Sequence, residues 1–208
     1  MQLTVFQEGN GSSNSYLGYD PDTKEAFIID PGRDDASYEK FLEEKGLKLT
    51  SIILTHAHFD HIGGLERLRK ATGARVYIGE TEAKTMNDPK LNLSGMLGGE
   101  SLQLQPPDVY LKPGDKIQVL PDEELEVIDT PGHTPGGICL YGNAILFSGD
   151  TLFEGSIGRT DFPGGSYSQI QQSLDKLMAL PDDTTVLPGH GGTTTIGREK
   201  KINPFIAG

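Results

Sequence analysis

Residues 51–64 read SIILTHAHFDHIGG, an apolar run followed at once by three histidines and an aspartate. The run 51–54 is too short for a helix and rich in β-branched residues, so it predicts a buried strand. Apolar residues then recur at helical spacing up to Gly73, namely Ile62, Leu65, Leu68 and Ala71. The polar cluster is therefore predicted to lie on a loop between a strand and a helix.

Four side chains of this loop are typical metal ligands: His56, His58, Asp60 and His61. Alternate residues of an extended segment point the same way, so His56, His58 and Asp60 are predicted to converge on one point. His61 opens the helix and faces elsewhere, which offers two adjacent metal positions. The alternative is a polar loop with coincidental histidines, but three of the five histidines of the chain lie here.

Composition bounds the class of protein. A chain of 208 residues with 35% hydrophobic content can bury a sizeable core, and we expect a single domain over residues 1–208. The formal net charge of -12 argues against nucleic acid as a partner, because phosphate binding needs clustered Lys and Arg. Residues 1–10 have neither a basic nor an apolar leader segment, and no long apolar run suggests a membrane span. A single cysteine, Cys139, excludes an intrachain disulfide and fits a cytoplasmic protein.

The first half of the chain predicts short strands joined by turns, with helices between the later ones. Strands are expected over 3–8, 13–19, 26–29 and 75–78, and helices over 36–45 and 80–86. Asp35 is expected to cap the first helix and Gly46 to end it. Asp30 ends the third strand, either as a turn residue only or as a partner of a metal ligand. Residues 87–115 lack periodicity and predict an irregular insertion, either a lid or a variable surface loop.

The second half repeats the motif of a strand, a tight turn and a possible ligand. Apolar strands precede the possible ligands as follows: 126–129 before His133, 144–147 before Asp150, and 185–187 before His190. Between the last two, Ser166 and Gln169 form a capping box for a helix up to residue 180. Cys139 lies inside a strand over 138–141 and is predicted to be a core residue. Strands that alternate with helices in both halves predict two sheets covered by helices.

The candidate ligands suit two divalent metal ions. They comprise nitrogen and oxygen donors without a thiolate, which favours zinc, with iron or manganese also possible. The expected first site is His56, His58 and His133, and the expected second site is Asp60, His61 and His190. Asp150 is the natural bridge between the two sites.

Such a centre predicts hydrolysis. Two ions about 3.5–4 Å apart lower the pKa of a shared water to about 7 and polarise a carbonyl group, so a bridging hydroxide attacks with Asp60 and Asp150 as the catalytic carboxylates. Every histidine is assigned to metal, so no general acid is left for the leaving group. A thiolate, whose parent thiol has a pKa of about 8.5, leaves without one. We therefore expect a small-molecule thioester as the substrate.

Several segments resemble the metallo-β-lactamase superfamily: 55–61 (THAHFDH), 132–134 (GHT), 148–150 (SGD) and 189–190 (GH). Residues 155–162 (GSIGRTDF) and the segment 195–205 resemble short bacterial glyoxalase II-like hydrolases. The resemblance implies an αββα sandwich of the α+β class, the seven ligands named above, and hydrolysis of S-2-hydroxyacylglutathione to a 2-hydroxy acid and glutathione. True β-lactamases are disfavoured, because they generally have cysteine or serine at the position of Asp150.

The resemblance leaves two questions open. Ordinary glyoxalase II enzymes have a further helical domain that helps to bind glutathione and a tyrosine soon after the last histidine, whereas Gly191 and Gly192 follow His190 here. Glutathione is therefore one candidate carrier among others. Persulfide dioxygenases share the GRTDF segment and use one iron held at positions that match His56, His133 and Asp150. Their usual cysteine before that segment is replaced by Ile157, which disfavours this alternative.

Two further expectations concern substrate and assembly. Arg159 either binds a carboxylate of the substrate or pairs with Asp161. A third possible function is a metal-binding scaffold without activity. The complete ligand set argues against it. We expect a monomer or homodimer.

Overall fold

The computed structural model describes residues 1–7, 13–97 and 101–206. Within these ranges two six-stranded mixed sheets face each other, and helices cover the outer face of each sheet. The predicted αββα sandwich is confirmed. No helix in the described ranges is both long enough and apolar enough to cross a membrane.

The first sheet comes from the first half of the chain. Its strands are β1 (Gln2–Phe6), β2 (Ser15–Tyr19), β3 (Glu25–Ile29), β4 (Lys48–Leu54), β5 (Arg75–Gly79) and β6 (Val109–Leu111), in this spatial order. β1 to β3 are antiparallel, and β3 to β6 are parallel. Parallel strands need crossover connections, and helices supply the first two of them.

The second half of the chain forms the second sheet and a small ribbon. Its strands are β7 (Lys116–Leu120), β8 (Glu123–Asp129), β9 (Ile138–Gly142), β10 (Ile145–Gly149), β11 (Leu152–Phe153), β12 (Ser156–Ile157), β13 (Thr185–Pro188) and β14 (Thr194–Thr195). The sheet has the order β14-β13-β10-β9-β8-β7, and β11 pairs with β12 in the ribbon. β10 and β13 are the parallel pair of this sheet.

The helices are α1 (Ser37–Lys45), α2 (Phe59–Ile62), α3 (Leu65–Thr72), α4 (Tyr167–Met178) and α5 (Ile196–Ile202). α1 and α3 pack on the first sheet, and α4 and α5 pack on the second. Between the sheets lies an apolar layer in which the Phe147 ring meets the rings of Tyr16 and Phe27 edge-on. Burial of both faces explains why the central strands read as continuous apolar runs.

Local signals predicted the helix ends well. Gly46 ends α1 in the left-handed conformation with φ of 63° as expected, whereas Asp35 lies one residue before the N-cap, Ala36, and accepts the N–H of Ser37 at 2.8 Å without forming a side-chain cap. Ser166 caps α4 by accepting the N–H of Gln169, although the helix ends at Met178 rather than at residue 180. These features depend on neighbours within one turn, which is why sequence spacing reveals them.

Three expectations need correction. The helix predicted after the histidine loop is divided into α2 and α3 at Gly63 and Gly64. A Cβ atom on Gly63 would lie 2.5 Å from the Gly32 carbonyl oxygen, and one on Gly64 would lie 2.0 Å from the Arg33 carbonyl oxygen. The helix predicted over 80–86 is a single 3₁₀ turn, Glu82–Lys84. The strand predicted over 3–8 ends at Phe6, and Glu8 lies outside the described residues.

The segment 87–115 is irregular only in part. It contains β6, which pairs with β5 at the edge of the first sheet, and residues 98–100 lie outside the described ranges. The strand β7, which follows this segment, was also missed. β6 has three residues, too few for a period of two to be recognised.

Candidate metal centre

The ligand-type side chains lie on loops that follow the ends of strands. His56 and His58 follow β4, His133 follows β8, Asp150 follows β10 and His190 follows β13. Each loop begins at the end of a buried strand and carries its ligand-type side chain to the same polar site, so side chains from both sheets meet at one place. The structure brings together all five histidines with Asp60 and Asp150.

Asp150 and His190 meet because β10 and β13 are parallel neighbours. Gly149 lies opposite Pro188 in their register, so the two loops leave the sheet side by side. Nε2 of His190 then lies 3.4 Å from Oδ2 of Asp150. Residues that are forty positions apart in sequence are thus neighbours because of strand pairing alone.

A first cluster contains three buried histidines. His56, His58 and His133 each offer one ring nitrogen, and these atoms all lie within 4.8 Å of one another. Nε2 of His133 lies 2.9 Å from Nδ1 of His58. Three imidazoles at this spacing match the ligand set expected for the first ion.

A second cluster contains Asp60, His61 and His190. Nε2 of His190 lies 3.2 Å from Oδ2 of Asp60 and 3.3 Å from Nε2 of His61. These are the residues expected for the second site, but Asp60 does not converge with His56 and His58 as the alternation of an extended segment predicted. The expected alternation fails because Asp60 lies inside α2, where successive side chains turn by about 100° rather than alternating.

Asp150 lies between the two clusters. Its Oδ1 is 3.3 Å from Nε2 of His61, and its Oδ2 is 3.4 Å from Nε2 of both His133 and His190. It therefore contacts one member of the first cluster and two of the second. Burial disfavours ionisation of Asp150, but the neighbouring His61, His190 and His133 outweigh it and hold the pKa of the carboxyl well below its usual value.

The two clusters differ in the protonation state that their histidines favour. Burial, followed by repulsion from the other histidines, holds the pKa of His56 well below the usual value and that of His58 at about 3. Both are thus neutral at pH 7, the form that binds metal. Burial also opposes charging of His61 and His190, yet the carboxylates of Asp150 and Asp60 raise the pKa of His61 well above the usual value and that of His190 to about 9. The second cluster therefore attracts positive charge.

Buried polar atoms at the site suit divalent cations. Within the described chain, Nε2 of His56, Nε2 of His58 and Oδ1 of Asp150 are buried without a hydrogen-bond partner. Leaving such atoms unpaired costs about 1–3 kcal/mol each, and metal ions held by His56 and Asp150 would satisfy two of the three, whereas His58 offers its Nδ1 to the cluster. The residues present therefore fit the two ions that the sequence predicts, while metal ligation itself stays a prediction.

Outer contacts fix two of the rings. His133 donates its Nδ1–H to the carbonyl of Arg159 at 2.8 Å, and His61 donates its Nδ1–H to Oδ2 of Asp30 at 2.9 Å. Each bond leaves the Nε2 lone pair directed toward the centre of the site. The ring orientation and tautomer that metal binding requires are therefore built into the protein.

Asp30 is more than a turn residue. It is 1% exposed, and besides His61 it accepts the N–H of Thr55 at 2.7 Å and the hydroxyl of Thr55 at 2.6 Å. Its φ of 52° places it in the left-handed region. Of the two roles considered for Asp30, the structure shows the one that orients a candidate ligand.

Glu82 is a site residue that sequence reasoning missed. It is buried, and it accepts the N–H of Ala57 at 3.0 Å and the N–H of Gly136 at 2.9 Å. Burial raises the pKa of this carboxyl above its usual value, against the bonds from these amides. No sequence signal pointed to it, because Glu82 stands in the mostly polar segment 80–86 (ETEAKTM) that follows β5.

Arg159 pairs with its neighbour. Its Nη2 lies 2.7 Å from Oδ2 of Asp161, and its guanidinium stacks at 3.8 Å from the centre of the Phe162 ring. Both members of the ion pair are more than half exposed. The structure thus realises the pairing alternative, and binding of a substrate carboxylate stays a prediction.

Aromatic rings flank the site on two sides. Phe162 meets His58 edge-on with ring centres 5.9 Å apart, and Phe153 meets His190 at 6.1 Å. A cavity of about 270 Å³ adjoins Asp60 and is lined by Phe59, Leu102 and polar loop residues. Aromatic rings therefore flank both clusters, and a cavity large enough for a small molecule adjoins one candidate ligand, Asp60.

We expect Gly189→Ala to abolish metal binding at the second cluster. A Cβ atom on Gly189 would lie 2.2 Å from Oδ1 of Asp150 and 2.6 Å from Cε1 of His61, so both candidate ligands must move. Metal content after gel filtration and the far-UV circular dichroism spectrum measure this: metal is lost while secondary structure is kept.

Gly192→Ala is the matched control, because its Cβ atom would meet only the flexible end of the Glu154 side chain, at 2.9 Å. It should retain wild-type metal content. Equal metal content in the two variants would contradict the close packing described for Gly189.

Comparison with known proteins shows the family. Residues 9–190 match the model of the Metallo-beta-lactamase superfamily. The chain is 39% identical to the probable metallo-hydrolase YqgX of Bacillus subtilis, over 94% of this chain and 93% of that protein. It is 36% identical to the hydroxyacylglutathione hydrolase GloC of Haemophilus influenzae, over 98% of this chain and 95% of that protein.

Solved structures agree with these relatives. The fold superposes on the B3 metallo-β-lactamase BLEG-1 with a TM-score of 0.92 at 39% identity, covering 100% of each chain. ETHE1 from Myxococcus xanthus gives 0.83 at 31% identity, covering 100% of this chain and 85% of that one. TTHA1623 in a di-iron-bound form gives 0.83 at 33%, covering 99% and 100%. The chain belongs to the metallo-β-lactamase superfamily, which makes it a metal-dependent enzyme of the metallo-hydrolase class.

Proposed function

We propose that the protein is a binuclear metallohydrolase that cleaves thioesters, including S-2-hydroxyacylglutathione, to give a 2-hydroxy acid and glutathione. The observation that carries the proposal is the position of Asp150, whose carboxylate contacts histidines of both clusters. A carboxylate shared by two complete ligand sets is the arrangement that a pair of ions requires. The relative GloC, named as a hydroxyacylglutathione hydrolase, supports the choice of substrate.

Each cluster has a defined role in the proposal. His56, His58 and His133 hold the first ion, Asp60, His61 and His190 hold the second, and Asp150 contacts both. The two ions would supply a nucleophile at neutral pH and a polarised substrate carbonyl. Asp60 is about a quarter exposed, and in the proposal it would hold the second ion and accept a proton from the attacking water.

The leaving group follows from what the site lacks. All five histidines of the sequence belong to the two clusters, so none is left to protonate a departing group. An alkoxide or an amine needs that proton, whereas a thiol with a pKa of about 8.5 leaves readily as a thiolate. Thioesters are therefore the preferred substrates on chemical grounds.

Zinc is the expected metal, because nitrogen and oxygen donors without thiolates are typical of catalytic zinc sites. The same donors suit iron and manganese. The related TTHA1623 has been obtained in a di-iron-bound form, which supports including iron in the metal analysis.

The proposal predicts cleavage of S-lactoylglutathione by protein loaded with about two ions per chain. Thiol release should be measured beside that from a short acyl thioester without glutathione. A lower KM for the glutathione thioester would favour glutathione as the carrier. Equal kcat/KM on both substrates would keep the hydrolase and reject glutathione.

The same preparation should be tested with a β-lactam, since BLEG-1 is named as a B3 metallo-β-lactamase. We expect the thioester to be cleaved with the larger kcat/KM. A β-lactam that is turned over faster than any thioester would replace the proposal.

A second candidate is an iron-dependent persulfide dioxygenase. Its support is that His133 Nε2 lies 3.4 Å from Asp150 Oδ2 and that His56 belongs to the same cluster as His133, so these three residues could hold a single iron. Oxygen uptake with glutathione persulfide separates the two candidates. Robust oxygen consumption by protein that holds one iron and cleaves no thioester would favour the dioxygenase.

A further inference from the structure

Glu82 begins the 3₁₀ turn that follows β5, and its side chain is buried below the candidate metal centre. Its exposed fraction is 1%, which is rare for a glutamate because a buried carboxylate needs several donors. No role in the proposed hydrolysis requires this residue. The question is therefore what its burial achieves.

The two oxygens of Glu82 bond to two different loops. Oε1 accepts the N–H of Ala57 at 3.0 Å, and Oε2 accepts the N–H of Gly136 at 2.9 Å. Ala57 lies between His56 and His58, and Gly136 lies three residues after His133. One carboxylate thus joins the two loops that supply the first cluster.

The two loops come from opposite sheets. Ala57 follows β4 of the first sheet, whereas Gly136 precedes β9 of the second. A direct backbone bond also connects them, since the Ile138 N–H donates to the Thr55 carbonyl at 2.9 Å. Gly136 is three residues from His133 and Ile138 is five, so Glu82 is the connection nearer to His133 in sequence.

The fit around the turn is close. A Cβ atom on Gly136 would lie 2.3 Å from the backbone nitrogen of Glu82 and 2.8 Å from its Cα. On the other side, the Thr85 hydroxyl donates to the Glu82 backbone carbonyl at 2.8 Å and lies 3.2 Å from Oε1 of Glu82. The carboxylate is therefore held in place by its own turn while it holds the two loops.

We propose that Glu82 is a positioning residue that sets the separation of His56 and His58 from His133, and thereby the metal affinity of the first cluster. The inference rests on the metal centre of the proposed function and not on the substrate. The alternative is that Glu82 only stabilises the fold.

The test is Glu82→Gln, which keeps the shape of the side chain. The amide NH₂ must face either Ala57 or Gly136, so one loop loses its acceptor and meets a donor instead. Metal-free protein is titrated with Zn²⁺ in competition with a chromogenic chelator. We expect the dissociation constant of the first-cluster ion to rise by about 10- to 100-fold, the range typical for outer contacts of metal ligands.

Two more readouts separate positioning from general stability. Amide exchange in the metal-free variant should accelerate at Ala57 or Gly136 specifically. Turnover at saturating Zn²⁺ should recover most of the wild-type kcat, since the ligands themselves are intact. Glu82→Asp keeps the charge but shortens the side chain by one methylene, so it should weaken metal binding as well. It replaces Glu82→Gln as the test if the Gln variant does not fold.

Two control variants are matched to the test. Glu80→Gln makes the same change at an exposed glutamate two residues away and should bind Zn²⁺ like the wild type. Leu42→Ala removes a buried side chain under α1 and should lower Tm without changing the Zn²⁺ dissociation constant.

The proposal is overturned if Glu82→Gln binds Zn²⁺ as the wild type does. It is also overturned if Leu42→Ala, at an equal loss of Tm, weakens Zn²⁺ binding as much. Because affinity is measured without substrate, weakened binding in a protein that cleaves no thioester would support the role of Glu82 while rejecting the proposed reaction.

Discussion

Asp150→Ala is expected to reduce turnover to the detection limit and to lower the metal content from about two ions per chain to one or fewer. Asp150 contacts His61 in one direction and His133 and His190 in the other, so its loss removes the carboxylate shared by both clusters. The charges of two adjacent cations would then be less compensated. Elemental analysis and the thioester assay measure the two effects in the same sample.

The matched control for this variant is Asp129→Ala. Asp129 also ends a strand of the second sheet, but it pairs with Lys176 at the surface, at 2.9 Å. Exposed pairs of this kind contribute about 0–1 kcal/mol, so metal content and activity should stay unchanged. Near-normal activity of Asp150→Ala at an unchanged metal supply would remove Asp150 from the proposed centre.

Asp30→Asn is the second variant with a large expected effect. The Asp30 carboxylate accepts three hydrogen bonds, from the backbone N–H of Thr55, the hydroxyl of Thr55 and the ring of His61. In the variant the amide NH₂ must face either the backbone N–H of Thr55 or the side chains of Thr55 and His61. In the latter orientation His61 is no longer held with its Nε2 lone pair directed inward. We expect kcat/KM and the metal affinity of the second cluster to fall by about 10- to 100-fold.

The choice of asparagine isolates the side chain. Asparagine tolerates the left-handed conformation that Asp30 adopts at a φ of 52°, so the backbone is not strained. Thermal unfolding should show a loss of about 1–3 kcal/mol, the cost of a buried donor left unsatisfied. Asp22→Asn, at an exposed position of the turn before β3, should match the wild type. Unchanged metal affinity in Asp30→Asn would contradict the role of the Asp30 carboxylate in preparing His61 for metal.

Several helix ends were predictable because their signals are local. Asp35, Gly46 and Ser166 act on residues within one turn, and the spacing of the sequence contains that information. Short strands such as β6 and β7 were missed. Three or five residues on a sheet edge contain too few alternations to be separated from an irregular loop.

The division of the histidine loop shows where local reasoning fails. Alternation placed Asp60 with His56 and His58, yet α2 begins at Phe59 and turns Asp60 toward His61 and His190. A helix of four residues has no periodic pattern of its own. Its start depends on tertiary contacts, among them the Phe59 N–H that donates to the Asn92 carbonyl at 2.8 Å.

The sequence by itself determined the superfamily, the αββα sandwich and the ligand-type residues at the strand ends. Those features depend on residue type, spacing and the period of apolar positions. Only the tertiary structure decided that Asp60 does not converge with His56 and His58, that Asp30 orients His61, and that Glu82 joins two loops. These contacts connect residues from 25 to more than 100 positions apart, and a local pattern cannot specify them because they arise from strand pairing and from the packing of one sheet on the other.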